Sequence, residues 1–145
     1  MKARAAFGSI VMLCVLALTA HAGGKGDLQK YFSDAATRVK ATDNPSEKRV
    51  ILNESFQTMT QALDMVGSSS LISNDERAGL DRLQATLKDK QDELTGSNGY
   101  ARVSDQQLNA FSTYVVQDME QADTIVTVSL VTLILLAILL VLIVR

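Results

Sequence analysis

The chain has 145 residues, 47% of them hydrophobic, and a formal net charge of −2 at pH 7. Its one cysteine, Cys14, and its one histidine, His21, both fall in the first 22 residues. The remainder therefore offers no disulfide, no thiolate or imidazole metal site, and no Ser-His or Cys-His nucleophile pair.

The N-terminus has three parts. Lys2 and Arg4 give a positive start, Ile10 to Leu18 is apolar but short, and Ala20-His21-Ala22 supplies small residues where a signal peptidase reads them. The pattern predicts a secretory signal peptide over residues 1–22, cleaved after Ala22. Leu13 stands before Cys14, where a lipoprotein signal needs a small residue, so Cys14 is expected to leave with the signal.

Residues 23–123 are expected to form one small extracytoplasmic domain. They carry 11 basic against 16 acidic side chains, a net of −5 with no block of either sign. That balance argues against nucleic acid, which needs a clustered positive face, and against electrostatic docking on anionic lipid.

Four amphipathic helices follow in order. Residues from Gly26 to Thr42 place Leu28, Tyr31, Phe32, Ala35, Ala36 and Val39 on one stripe. In ATDNPSE, Asn44 is a good N-cap, Pro45 suits the first helical position, and Glu47 completes a capping-box-like pattern. The second helix spaces Leu52, Phe56, Met59, Leu63 and Val66 alternately by four and three, as a coiled-coil seam does. GSSSLIS breaks the chain, and Ser73 to Glu76 forms a second capping box. The third helix carries Leu80, Leu83, Leu87 and Leu94, with Gln91 where another leucine is expected. After the TGSNG turn, VSDQQL predicts a fourth start: Ser104 capping, Gln107 answering, and Val103 packing onto Leu108. The last stripe is Leu108, Phe111, Val115, Met119 and Ala122.

No breaker separates Ala122 from Ile125, so a single helix is expected from Asp105 to Val144. Ile125 to Val144 is free of charge, and at ~1.5 Å per residue it reaches ~30 Å, one hydrocarbon thickness. Thr127, Ser129 and Thr132 are its polar residues, with hydroxyls able to bond back to the helix. A buried core helix is disfavoured because no other segment is apolar enough to surround LILLAILLVLIV. The expected fold is therefore all-α: a small antiparallel four-helix bundle whose last helix continues into a C-terminal transmembrane helix, residues 124–145. Asp118, Glu120 and Asp123 precede the span and Arg145 follows it, which places residues 23–123 outside the cytoplasm.

Two places are candidate sites. In LKDKQDEL, Asp89 and Glu93 lie one turn apart and suggest a weak divalent-cation patch, against a solvated face on which Lys88 pairs with Asp92. The solvated face is the expected reading, so no metal, cofactor or catalytic residue is assigned. Tyr114 and Val116 flank the stripe of the fourth helix and form a candidate partner-binding surface. These features predict a non-enzymatic, membrane-anchored extracytoplasmic interaction module, a structural or accessory subunit of an envelope complex. It is expected to act through a protein partner or self-association. The alternative is a ligand-sensing bundle that signals through a partner membrane protein.

Overall fold

Side-chain caps set where the helices begin. The Asn44 carboxamide oxygen accepts the Ser46 amide at 2.9 Å and the Glu47 amide at 3.4 Å, with Pro45 at the first position. Glu47 reaches past the cap to the Thr42 hydroxyl, which donates to it at 2.6 Å. At Ser73 the capping box is complete: the hydroxyl accepts the Glu76 amide, and the Glu76 carboxylate accepts the Ser73 amide. These contacts satisfy backbone donors that the first helical turn leaves without partners.

The computed structural model describes residues 26–123 and 126–144, and it is all-helical, with no strand among the described residues. Helix α1 spans Asp27–Ala41, α2 Pro45–Gly67 and α3 Asn74–Thr95. A short 3-10 turn, Asp105–Gln107, leads into α4, Leu108–Asp123, and α5 spans Val128–Val144. The predicted signal peptide, Thr124, Ile125 and Arg145 lie outside the described residues.

The helices form a bundle around one apolar core. The predicted stripes of α1, α2 and α4 are buried throughout. Phe56 of α2 is at the centre, with ring centroids 6.0 Å from Phe32 of α1 and 6.4 Å from Phe111 of α4. The Tyr31 hydroxyl donates to the Ser55 carbonyl, holding α1 on α2. Gln84 donates to Asp64 and Arg77 to the Gly67 carbonyl, closing α3 onto α2. At the far end of α3 the chain turns on Gly96, whose φ of +77° suits glycine and whose missing Cβ leaves room for the Arg102 backbone.

Two expectations require correction. Ser104 makes no side-chain cap, because the turn after it is 3-10 and its neighbour Asp105 is drawn to Arg49 at 2.7 Å. Val103 does pack against the core. Nor is there a single helix from Asp105 to Val144: α4 ends at Asp123 and a separate helix begins at Val128. Thr127 supplies the reason. Its hydroxyl accepts the Leu130 amide at 3.1 Å and its carbonyl the Val131 amide at 3.0 Å, as an N-cap does. The β-branched run Ile125-Val126-Thr127 also favours helix weakly.

Helix α5 packs on α2 and touches α1. Leu130, Val131, Ile134, Leu135 and Ile138 are buried, whereas Leu136, Leu140, Ile143 and Val144 are exposed. The apolar run is thus covered on one side without being surrounded. With 17 residues α5 is about 25 Å long, and no helix among the described residues is long and apolar enough to cross a membrane.

The central position of Phe56 gives a stability prediction. Phe56→Ala should destabilise the fold by about 3–5 kcal/mol through lost burial and a residual cavity. Val50→Ala on the exposed face of α2 should change stability by less than about 0.5 kcal/mol. Chemical denaturation followed by circular dichroism measures both.

Candidate functional site

The most deeply buried charged side chain among the described residues belongs to α3. Leu80, Leu83 and Leu87 follow a three–four alternation, which continues to position 90 and then to Leu94. Position 90 is Lys90, 3% exposed, while Gln91 is only half-buried. The interruption expected at Gln91 is therefore one residue earlier and is a lysine. The repeat itself carried that signal, because the step after Leu87 is three residues rather than four.

An ammonium in such a place needs compensation. Lys90 Nζ lies 2.6 Å from Asp118 Oδ2 on α4 and 3.1 Å from Glu93 Oε1 on its own helix. It also sits 3.7 Å above the centre of the Tyr114 ring, a cation–π contact. Burial works against the charge, but hydrogen bonding to Asp118, Glu93 and Tyr114 outweighs it and holds the Lys90 pKa above its ordinary 10.5. Two carboxylates and a ring face leave this cation no free valence for substrate. The cluster ties α3 to α4.

The candidate partner residues separate. Tyr114 is 46% exposed with its ring engaged by Lys90, and Val116 is half-buried and packed against the core. Of the two, Tyr114 alone presents a substantial surface.

The acidic stretch of α3 behaves as a set of local pairs. Lys88 donates to Asp92 at 3.0 Å, the pairing expected of a solvated face. Asp92 also accepts from the Asn98 side chain, and Asn98 first, then Lys88, holds its carboxyl below the usual aspartate range. Asp89 is exposed, and Glu93 is committed to Lys90. Among the described residues no three His, Cys, Asp or Glu side chains gather as metal ligands would. A second polar tie joins the starts of α2 and α4: Arg49 donates to Asp105 and to the Val103 carbonyl, and Lys48 to Asn109.

Removing one member of the Lys90 cluster should separate charge from packing. Lys90→Ala should destabilise by about 3–5 kcal/mol, because two carboxylates lose their cation and the core loses the stem. Lys90→Met, which keeps the stem, should cost less than Lys90→Ala but still about 1–3 kcal/mol, because Asp118 and Glu93 lose their cation all the same. Asp118→Ala should cost less than Lys90→Ala, since Glu93 remains to pair the ammonium. A raised lysine pKa stabilises the fold fully below 10.5, and that contribution is lost as pH rises through the folded value. Alkaline denaturation should therefore show a stability loss in the parent chain that the Lys90→Met variant lacks.

Compared with family models, with curated proteins and with solved structures, the chain matches none.

Proposed function

We propose that this chain is a membrane-anchored extracytoplasmic helical interaction module, a structural or accessory subunit of an envelope complex. In this reading residues 23–123 form an antiparallel four-helix bundle, and the uncharged run from Ile125 to Val144 anchors it as a single span. The observation that carries the reading is the outer face of α5. Leu136, Leu140, Ile143 and Val144 are exposed along a helix that contains no charge. A helix that is apolar all round needs a surrounding of the same kind, and a bilayer offers one. As a span, the 20 residues Ile125–Val144 match ~30 Å of hydrocarbon, which the 17 residues of α5 alone do not.

The interaction role rests on what the surface lacks. The polar clusters of α3 and α4 are paired among themselves, so recognition falls to helix faces, and the exposed Tyr114 is the side chain best suited to a protein partner. Tethering in one membrane raises the effective concentration of such a partner.

Flotation with phosphatidylcholine vesicles tests the anchor. The full chain should float and resist alkaline extraction. Leu136→Asp with Leu140→Asp should abolish both, because an aspartate near mid-membrane costs about 2.5–3.5 kcal/mol. Equal flotation of the double variant would sink the reading. In native membranes, protease added from the extracytoplasmic side should remove residues 23–123, and protection of the bundle would refute the orientation.

A further inference from the structure

Helix α2 is buried on more than its core seam. Ile51, Ser55, Thr58 and Ala62 are all buried, and together they form a second strip beside Leu52, Phe56, Met59, Leu63 and Val66. At about 100° per residue, this strip lies on one flank of the seam. The residues that meet α3 lie on the other flank: Asp64 bonded to Gln84, and Gly67 against Leu80. The cover for the strip therefore comes from α1 and α5. The Tyr31 hydroxyl reaches the Ser55 carbonyl, which puts α1 at the inner edge. Thr58 is on the outer edge, only 2% exposed, and α5, which packs on α2, is the helix left to cover it.

The same helix cannot serve both surroundings at once. Glu54 and Gln61 border the strip and are exposed, and Gln57 and Asp64 are exposed farther round, so α2 has to stay in water. If α5 enters hydrocarbon it must leave α2, and the strip loses its cover. We propose that α5 is a latch shared between α2 and the bilayer. Docked in water, it closes the strip of Ile51, Thr58 and Ala62; taken up by lipid, it opens that strip. The latch rests on the membrane-anchored reading. It adds that the α2 surface becomes available only when the chain is on a membrane. Helix α5 itself carries no charge, and its polar residues are Ser129 and Thr132. Docking leaves Leu136, Leu140 and Ile143 in water, whereas insertion gives apolar surroundings to both faces, so lipid can shift the balance between the two states.

A single thiol reads the latch directly, because the chain has no cysteine other than Cys14. In the full chain with Cys14→Ser, Thr58→Cys should react with a water-soluble maleimide at least about tenfold more slowly than Val50→Cys. Phosphatidylcholine vesicles should bring the two rates together. Ala62→Cys provides a second reporter should Thr58→Cys fail to fold by circular dichroism. Without vesicles, Ile134→Ser with Ile138→Ser on the inner face of α5 should unmask the thiol. Leu136→Ser with Leu140→Ser on the outer face should not, although the two pairs lower hydrophobicity similarly. A thiol that stays slow while the chain floats with vesicles would overturn the latch and leave the anchor intact. A thiol that is fast without vesicles would overturn it as well. Failure to float would instead remove the anchoring reading, and the latch with it.

Discussion

Helix α2 has to satisfy two apolar surfaces, and the rest of the structure is arranged around that demand. Its inner seam meets α1 and α4 through the Phe32, Phe56 and Phe111 rings, while Ile51, Thr58 and Ala62 need a cover that four helices do not complete. Helix α5 supplies it by packing along α2. Burying both surfaces removes far more apolar area from water than one stripe could, in a domain small enough for its core to be modest. The polar ends of α2 then fix direction: Asn44 caps its start, and Arg49 binds the entry to α4 through Asp105 and the Val103 carbonyl.

Features written in a few neighbouring residues were legible in the sequence. Asn44 with Pro45, and Ser73 with Glu76, cap as their spacing says, because donor and acceptor are within one turn and need nothing from elsewhere. The seams of α1, α2 and α4 were legible for a similar reason: period alone selects the buried face. Ser104 shows the limit. Its motif is as good as the others, but Arg49, 56 residues from Asp105 along the chain, takes the first acidic residue of that turn. The second strip of α2 was also hidden, since Ser55, Thr58 and Ala62 look ordinary until another helix covers them.

The charged stretch of α3 and the end of α4 mislead in opposite directions. LKDKQDEL looks like a solvated face, and Lys88 with Asp92 behaves as one, yet Lys90 falls on the core period and must be paired. Only a count of the three–four alternation separates the two lysines. Past Ala122 the sequence looks uninterrupted because each residue is compatible with a helix. The break depends on Thr127 using its hydroxyl to begin a helix instead of continuing one. Competition of that kind is settled by small energy differences, to which pattern reading is blind.

The placement of Lys90 also determines which misassembled forms the chain can avoid. Helices with leucine seams slide past one another at little cost, since one leucine resembles the next. Along α4, however, the carboxylate of Asp118 has Tyr114 one turn before it and Ala122 one turn after. If α3 docked a turn out of step in either direction, it would bury its ammonium opposite a side chain with no charge to offer. A single polar residue at a seam position is known to enforce alignment in this way. The observed α3–α4 alignment is therefore favoured, because a slipped one would leave Lys90 with Glu93 of its own helix alone and strand Asp118.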